Sequence, residues 1–349
     1  MKTVIANIDS NNPDPAVMEA AGRIIRGGGL VAFPTETVYG LGGDALNPEA
    51  SARIYEAKGR PSDNPLIVHI ADLSDLGPIT RDVPRVAHEL AGRFWPGPLT
   101  LIFGKSDRVP LQTTGGLDTV AVRFPSDPVA GALIRASGGY VAAPSANLSG
   151  KPSPTRGKYV IQDLDGRVDM ILCGDDSRIG LESTIVDLTS DEPVILRPGY
   201  VTLEMLREVI PTVSLDKGLA ESDPSVRPKA PGMKYRHYAP RGDMTIVEGA
   251  GPSVTAYINR KIAEARSAGL RCGVIAANER LDTYEADLKE GIGTDGDAEE
   301  AARRIYAILR NMDDEGIDVI FAEGMADGGM GTAYMNRLTK AAGHKIVRA

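Results

Sequence analysis

The chain has 349 residues, of which 42% are hydrophobic and 25% are charged, a composition typical of a globular protein long enough for two domains. Its formal net charge of −8 argues against a general binder of nucleic acids or anionic membranes. No apolar run approaches the roughly twenty residues that cross a bilayer, so we expect neither a signal peptide nor a membrane segment. The isolated Cys173 and Cys272 fit reduced, buried thiols of a cytoplasmic protein better than a disulfide or a metal site.

The first part of the chain alternates helix-like and strand-like patterns. Pro15 to Arg26 predicts an amphipathic helix that begins after the N-cap Asp14 and stops at Gly27 to Gly29. Further predicted helices are Ala50 to Lys58 (ended by Gly59), Pro84 to Phe94, Pro128 to Ser137 and Leu203 to Ile210. The predicted strands are Leu30 to Phe33, Leu66 to Ile70, Leu99 to Phe103, Thr119 to Phe124, Tyr140 to Ala143, Met170 to Cys173, Thr184 to Leu188 and Val194 to Arg197. So many short strands with unequal connections predict a mixed, twisted α/β sheet rather than a regular doubly wound one.

Residues 216–243 are rich in proline, glycine and charge, which predicts a linker between a domain over 1–215 and a smaller one over 244–349. Within the linker, the segment from Ser225 to Arg241 carries five basic residues and no acid, together with Tyr235 and Tyr238. A plain spacer is usually more polar and less aromatic than this segment.

A second α/β pattern follows the linker. Its predicted strands are Met244 to Val247, Arg271 to Ala276 and Asp318 to Phe321, and its predicted helices are Val254 to Ala268, Ala298 to Arg310 and Thr332 to Ala342. Strands that alternate with helices in this way predict a small, three-layer, Rossmann-like domain.

Polar side chains recur at every second position in three predicted loops. The three sets are Lys58, Arg60, Ser62 and Asn64; Ser145, Asn147 and Ser149; and Thr35, Thr37 and Tyr39. Alternate residues of an extended segment share a face, and ligands bind at the carboxyl ends of strands, so the three loops are predicted to line one concave cleft. For each loop alone, a surface turn rich in serine and asparagine is the alternative.

Two of these side chains fix the chemistry expected in the cleft. Arg60 keeps its positive charge near neutral pH, and Lys58 does so unless it is buried, which indicates a polyanion such as a nucleotide phosphate. The chain has no G-x-x-x-x-G-K-[ST] phosphate loop, no G-x-S-x-G elbow and no H-E-x-x-H pair. The residues therefore favour positioning of two bound substrates over covalent catalysis.

Four further polar residues lie in or beside apolar strands. His69 ends one such strand, where a histidine is more often a satisfied core residue than a catalytic one. Arg123 and Arg197 must each find an anion, and a structural ion pair and a ligand carboxylate explain them equally well. Ser183 lies at the entry to a predicted strand, and the alternative to a functional role is that it is simply a turn residue.

The same loops carry a resemblance to a known family. The motifs Pro34 to Gly42, Lys58 to Pro61, Asn64 to Leu66, Trp95 to Thr100 and Pro144 to Gly150 resemble the YrdC-like domain of threonylcarbamoyl-AMP synthases. The stretch from Pro231 to Pro240 and the second α/β pattern resemble the long, two-domain form of that family. The resemblance spans nearly the whole chain and covers motifs that are long and in the same order.

The resemblance implies an activity. L-threonine, bicarbonate or CO2, and ATP would give L-threonylcarbamoyl-AMP and pyrophosphate, and the product would serve a downstream transferase complex that modifies an adenosine of tRNA. It also implies a cytoplasmic enzyme that uses ATP as substrate, with Mg²⁺ carried in by the nucleotide and no identified metal ligands. Direct binding of tRNA is expected to be weak or absent.

The resemblance further implies roles for individual residues. The catalytic residues would be Lys58, Arg60, Ser145 and Asn147. The nucleotide would contact Arg60, Asn64, Thr119, Ser145, Ser153 and Arg197. It would also contact Tyr235 and Tyr238, which the resemblance places in a lid that folds over the site from Ser225 to Arg241, with an interdomain spacer as the alternative for this segment. Threonine would be surrounded by Thr37, His69, Arg123, Ala143 and Ser183, with Arg123 the natural partner of its carboxylate.

Two other functions are compatible with parts of the sequence. A concave basic face could hold RNA without catalysis, although the net charge of −8 and the short basic segment count against it. A carbamoyl transferase of the hydrogenase-maturation type contains a related domain, but it also carries zinc-binding cysteine clusters that two isolated cysteines cannot supply.

Overall fold

The computed structural model describes residues 2–190, 192–219, 230 and 237–349 and divides into two compact units. The first unit comprises residues 1–149 and 153–235, and the second comprises 150–152 and 236–349. The division at residues 215 and 243 stays a prediction, since most of the segment from Ser225 to Arg241, including Tyr235, lies outside the described residues. Across the described ranges, no helix is long and apolar enough to cross a membrane.

The first unit is built on a mixed sheet. Its strands are β1 (Val4–Asn7), β2 (Val31–Phe33), β3 (Gly40–Asp44), β4 (Ile67–His69), β5 (Leu99–Gly104), β6 (Thr119–Arg123), β7 (Val141–Ala142), β8 (Met170–Cys173), β9 (Thr184–Asp187), β10 (Val194–Arg197) and β11 (Ser214–Leu215). In the described part of the chain these strands follow the order β1-β8-β2-β3-β7-β4-β6-β5-β9-β10-β11. Strand β6 pairs parallel with β4 and antiparallel with β5, so the predicted mixed α/β sheet is confirmed.

Sequence chemistry accounts for several of the helix ends in the first unit. They are α1 (Pro15–Arg26), α2 (Pro48–Lys58), α3 (Leu76–Ile79), α4 (Arg85–Phe94), α5 (Pro128–Ala136), α6 (Gly157–Leu164) and α7 (Leu203–Arg207), with short 3-10 turns at Leu73–Asp75 and Lys217–Leu219. The carboxylate of Asp14 accepts a hydrogen bond from Ala16 N, as expected of an N-cap. Gly59 ends α2 with a φ of 61°, a left-handed conformation that glycine adopts without strain.

Strand β3 is not predicted by the sequence pattern, because Gly-Leu-Gly-Gly-Asp contains no β-branched or aromatic residue. A Cβ atom at Gly42 would lie 2.8 Å from Val141 Cγ1 and 2.9 Å from Phe33 Cε1. Because Gly42 has no side chain, residues of both neighbouring strands can pack over β3. Strand β3 is therefore explained by this packing and not by the β-propensity of its own residues.

The middle of the sheet has one apolar face and one partly polar face. Val68, Val122 and Leu101 are paired across β4, β6 and β5, and all three belong to the main hydrophobic core. Successive strand residues point to opposite faces, so their neighbours His69, Arg123 and Thr100 project together from the other face. This alternation sets the position of the candidate site.

The second unit is a parallel sheet with helices between its strands. Its elements are β12 (Asp243–Glu248), α8 (Gly251–Ser267), β13 (Cys272–Ala276), β14 (Leu288–Gly291), α9 (Ala298–Asp314), β15 (Val319–Glu323), α10 (Met330–Ala341) and β16 (Ile346–Arg348), with a 3-10 turn at Asn278–Thr283. The strands lie in the order β14-β13-β15-β12-β16, and every described pair is parallel. The predicted small Rossmann-like sheet is confirmed, although the edge strands β14 and β16 are not predicted by the sequence.

Helices α1 and α5 approach each other through Gly22. A Cβ atom at Gly22 would lie 2.5 Å from the carbonyl oxygen of Ala136, so we expect Gly22→Ala to lower the free energy of unfolding by about 1–3 kcal/mol through overpacking. At the exposed Gly92 of α4 a Cβ atom would meet nothing within 4 Å, and Gly92→Ala should be neutral or stabilise by up to about 1 kcal/mol. Denaturant unfolding followed by the fluorescence of Trp95, the only tryptophan, measures both. Equal midpoints for the two variants would contradict the close packing.

Candidate active site

Backbone hydrogen bonds join the three polar loops. Leu41 N donates to Pro144 O at 2.9 Å, and Ala146 N donates to Tyr39 O at 2.8 Å. Ser149 N donates to Lys58 O at 2.9 Å, which attaches the same loop to the end of α2. The structure therefore brings together the three segments that the sequence analysis assigns to one cleft.

The side chain of Lys58 reinforces this arrangement. It is 2% exposed, and its Nζ donates to the carbonyl oxygens of Ser145 and Asn147. Asn147 Oδ1 lies 3.4 Å from the same nitrogen, and it also accepts a hydrogen bond from the hydroxyl of Ser145. Three of the four predicted catalytic residues, Lys58, Ser145 and Asn147, are therefore in direct contact. The buried cation is Lys58, and it orients the loop from Ser145 to Asn147.

Arg60, the fourth, lies beside Asn64 on the segment after α2. Its guanidinium is half-buried and lies 3.3–3.4 Å from the carbonyl oxygens of Asn64 and Pro65. The Tyr55 hydroxyl donates to the same Asn64 oxygen at 3.2 Å, and burial raises the pKa of Tyr55 to about 12, so this donor stays protonated. Asn64 itself is 2% exposed, and its Oδ1 has no hydrogen-bond partner among the described residues.

Polar side chains from neighbouring strands form a row across the partly polar face of the sheet. This polar row consists of His69, Arg123, Thr100, Ser183 and Arg197. The hydroxyl oxygens of Thr100 and Ser183 are 2.7 Å apart, and Arg197 Nη2 donates to Ser183 Oγ at 3.1 Å. Arg197 Nε also donates to the Ser183 carbonyl oxygen at 3.0 Å. Thr100 is absent from the predicted site, because its pairing with Arg123 is visible only in the register of β5 and β6.

Arg123 has a protein carboxylate beside it. Its Nη2 lies 2.8 Å from Glu36 Oε1, with the two side chains 5% and 2% exposed, and its Nε lies 3.4 Å from Gly97 O. Glu36 Oε1 also accepts from Ser126 N at 3.2 Å. The sequence leaves open an ion pair or a ligand carboxylate for Arg123, and the structure shows the ion pair. Glu36 is absent from the predicted site, although it lies between Thr35 and Thr37 in the first motif.

The charge of Arg123 acts on its neighbour His69. Burial and the guanidinium lower the pKa of His69 to about 3, and its Nδ1 lies 3.1 Å from Ile67 O. The charge of Glu36 acts on Asp127: burial, and to a smaller extent this negative charge, raise the pKa of Asp127 to about 6. His69 is therefore neutral at physiological pH, and the Arg123–Glu36 pair carries the charge here.

Three other predicted site residues of the first unit, Thr37, Ala143 and Ser153, have defined hydrogen-bond contacts. Thr37 is fully buried, with its hydroxyl 2.9 Å from that of Thr35. Ala143 N donates to Ile67 O at 2.9 Å. The hydroxyl of Ser153 donates to Glu182 Oε1 at 2.6 Å.

Thr119 lies apart from these residues, because it begins β6, at the end of the strand opposite Arg123. Tyr238 lies in the second unit, where its ring centroid is 5.1 Å from that of Tyr306 and 6.0 Å from the guanidinium carbon of Arg337. Tyr235 lies outside the described residues. The functional roles of all these residues stay predictions.

Comparisons with known proteins identify the family. Residues 23–199 match a family model described as "Telomere recombination", and residues 201–343 match one described as "Threonylcarbamoyl-AMP synthase, C-terminal domain". The threonylcarbamoyl-AMP synthase of Pyrococcus abyssi is 47% identical over 99% of both chains. This chain belongs to the threonylcarbamoyl-AMP synthase family. The resemblance read from the loop motifs is confirmed.

Two further comparisons agree with the family and the fold. The threonylcarbamoyl-AMP synthase of Bacillus subtilis is 49% identical over 96% of this chain and 95% of its own length. The crystal structure of Pyrococcus abyssi Sua5 complexed with L-threonine superposes with a TM-score of 0.94 at 47% identity, covering 99% of this chain and 100% of that one. Both units of the fold are therefore those of this enzyme family.

The described residues contain no group of three or more histidine, cysteine, aspartate or glutamate side chains that could hold a metal ion. Mg²⁺ at nucleotide sites is commonly held by one or two carboxylates together with the phosphates.

His69 should make folding of the first unit sensitive to acid. Its pKa is about 3 in the folded chain against 6.5 when unfolded, so stability is lost as the pH falls below about 6.5, by about 1.4 kcal/mol per pH unit. His69→Asn should remove this slope in unfolding experiments at pH 7, 6 and 5 that follow Trp95 fluorescence.

The comparison between proteins isolates the contribution of His69. Asp127, with its raised pKa of about 6, gains stability as the pH falls through that value, but it does so equally in both proteins and cancels in the difference. His88→Gln, at an exposed position of α4, should keep the slope of the natural protein. An unchanged slope in His69→Asn would show that His69 is protonated in the folded state.

Proposed function

We propose that this chain synthesises L-threonylcarbamoyl-AMP from L-threonine, bicarbonate or CO2, and ATP, with release of pyrophosphate. The proposal rests on one observation in a chain of this family: Arg123 places a buried guanidinium group in the polar row. The product would supply a tRNA threonylcarbamoyl transferase complex in the cytoplasm. The net charge of −8 supports weak or absent direct binding of tRNA.

In this proposal Arg123 binds the carboxylate of threonine, because a buried guanidinium is best matched by a planar anion. Thr37, His69, Ala143 and Ser183 surround the rest of the amino acid. His69 is neutral, with a pKa of about 3, so it offers hydrogen bonds without adding charge. The complex of Pyrococcus abyssi Sua5 with L-threonine supports a threonine site in this fold.

The nucleotide is proposed to lie along the loops after α2 and β7. The contacts assigned to it are Arg60, Asn64, Thr119, Ser145, Ser153, Arg197, Tyr235 and Tyr238, with Mg²⁺ bound to its phosphates. Lys58 and Arg60 provide positive charge at one end of this set, and Lys58 also fixes the position of Ser145 through its backbone. Both effects favour a single orientation of the triphosphate.

The reaction needs positioning and charge stabilisation. The ammonium group of threonine first releases one proton to solvent. The resulting amine attacks the carbon of CO2 and releases a second proton, which gives a carbamate anion. A carbamate oxygen then attacks the α-phosphorus of ATP, and the bond to the β-phosphate oxygen breaks as pyrophosphate leaves. Negative charge grows on the phosphate oxygens during this second step, where Lys58 and Arg60 would stabilise it.

One residue of the linker supports its role as a lid. Ala230 is fully buried and packs in an apolar cluster with Ile67, Ile102, Ala121, Ile185 and Leu196. Ile67 and Ala121 precede His69 and Arg123 by two residues in their strands, so the cluster lies on the same face as the polar row. A segment held there would keep water from the carbamate and from the mixed anhydride.

The proposed activity predicts that the protein forms an AMP-containing product and pyrophosphate from ATP only when both threonine and bicarbonate are present. Mass spectrometry of the nucleotide made from labelled bicarbonate and threonine identifies the product. Lys58→Ala should lower turnover about ten- to a hundredfold, since a charge-assisted contact contributes about 1.5–3 kcal/mol.

Lys158→Ala serves as the matched control. It removes one positive charge from the exposed surface of α6 and should leave turnover unchanged. Release of pyrophosphate that is indifferent to threonine would refute the proposed activity. Full turnover by Lys58→Ala would exclude that residue from the site.

The lid is tested at Ala230. Ala230→Asp places a charge in the apolar cluster and should displace residue 230 from it, while Ala230→Gly removes only one methyl group. We expect Ala230→Asp to give less intact threonylcarbamoyl-AMP per pyrophosphate released, because water then reaches the intermediates. Chromatography of the products measures this ratio. A ratio equal to that of Ala230→Gly would reduce the segment to a spacer.

A further inference from the structure

Glu36 and Arg123 are oppositely charged, buried and incompletely hydrogen-bonded. Arg123 Nη2 lies 2.8 Å from Glu36 Oε1, close enough for an ion pair but without the angle of a hydrogen bond. Within the described ranges, neither Arg123 Nη2 nor Glu36 Oε2 has a hydrogen-bond partner. Buried polar atoms are normally paired, so these two residues present an unused donor and an unused acceptor at one place.

A purely structural ion pair does not explain this arrangement. Structural arginine–carboxylate pairs commonly form two parallel hydrogen bonds that satisfy both groups. Here one carboxylate oxygen is shared between the guanidinium and Ser126 N, and the other is left over. Leaving part of a buried charge unpaired is costly unless another group completes it.

The surrounding side chains have other partners. The Thr37 hydroxyl lies 2.9 Å from that of Thr35, and Ser183 Oγ lies within hydrogen-bond distance of Thr100 and Arg197. His69 is neutral because its pKa is about 3, and its Nδ1 lies 3.1 Å from Ile67 O. The missing partners of the pair are therefore best supplied by a ligand with both a donor and an acceptor.

We propose that Glu36 Oε2 accepts a hydrogen bond from the α-ammonium group of the amino acid whose carboxylate is held by Arg123. This inference rests on the proposed function, in which threonine is the substrate, and it adds a specificity-determining residue to that site. The Arg123–Glu36 pair has no net charge, and a zwitterion adds none. A carboxylate without an ammonium group would bring one uncompensated negative charge next to Glu36. Glu36 thus selects free amino acids over hydroxy acids.

The test compares two ligands that share a carboxylate and a hydroxyl group. L-Threonine has the ammonium group, and (R)-3-hydroxybutyrate lacks it. Binding to the full-length natural protein and to Glu36→Gln is measured by isothermal titration calorimetry. The natural protein should bind threonine at least tenfold more tightly than hydroxybutyrate. Glu36→Gln should lose about ten- to a hundredfold in threonine affinity and nothing in hydroxybutyrate affinity, so that the preference disappears.

Two further variants keep the test decisive. Glu36→Asp retains the charge and should retain a preference for threonine, which tests the inference even if Glu36→Gln does not fold. Glu182→Gln removes a different buried carboxylate, the partner of Ser153, and should leave the ratio of the two affinities unchanged.

The possible outcomes distinguish a failure of the Glu36 assignment from a failure of the proposed activity. Equal losses for both ligands in Glu36→Gln would mean that Glu36 only positions Arg123, and an unchanged threonine affinity would mean that it does not meet the substrate. Either result overturns the inference and leaves the proposed activity intact. If the natural protein fails to bind threonine at all, the proposed function falls, and this assignment falls with it.

Discussion

The buried ammonium of Lys58 links parts of the first unit that are far apart in the sequence. It lies at the end of α2, where a positive charge also complements the carboxyl end of the helix, and it donates to the carbonyl oxygens of Ser145 and Asn147. Those two residues follow β7, and the same loop is bonded through its backbone to the segment before β3. Because a buried charge is costly without partners, each of these loops is held in place by the others.

A second constraint is the balance of charge around Arg123. Arg123 is balanced by Glu36, while His69 beside it is kept uncharged. Arg197 donates to the hydroxyl and the carbonyl of Ser183. The sheet can carry two guanidinium groups on one face because each has acceptors from the protein at hydrogen-bond or ion-pair distance. This arrangement suits a substrate that brings its own balanced charges into a site with little water.

Much of the fold follows from local sequence signals, and the exceptions have identifiable causes. Asp14 and Gly59 mark a helix start and a helix end at the residues where the structure places them, because capping is a short-range effect. Strand β3 is not predicted, because its glycines are explained only by packing against Phe33 and Val141 on the two neighbouring strands.

The candidate site shows the same division. The alternation of polar residues in the loops points to Lys58, Ser145 and Asn147, but Glu36 and Thr100 emerge only when the structure shows which side chains lie beside Arg123. Tyr238 is a different case, because its ring packs against Tyr306 within the second unit and its proposed contact with the nucleotide stays a prediction. Short-range patterns thus identify many of the polar positions, whereas the partner that each side chain contacts requires the tertiary structure.

The contact between Lys58 and Ser145 spans 87 positions of the chain, and it also bears on how the protein is made. Contacts between residues so far apart carry a large loop-closure cost and tend to form late in folding. During synthesis, the first polar segments leave the ribosome well before the loop that completes them. Until Ser145 and Asn147 have been translated, Lys58 lacks both of these carbonyl partners, so this part of the site can assemble only after the later loop has been made.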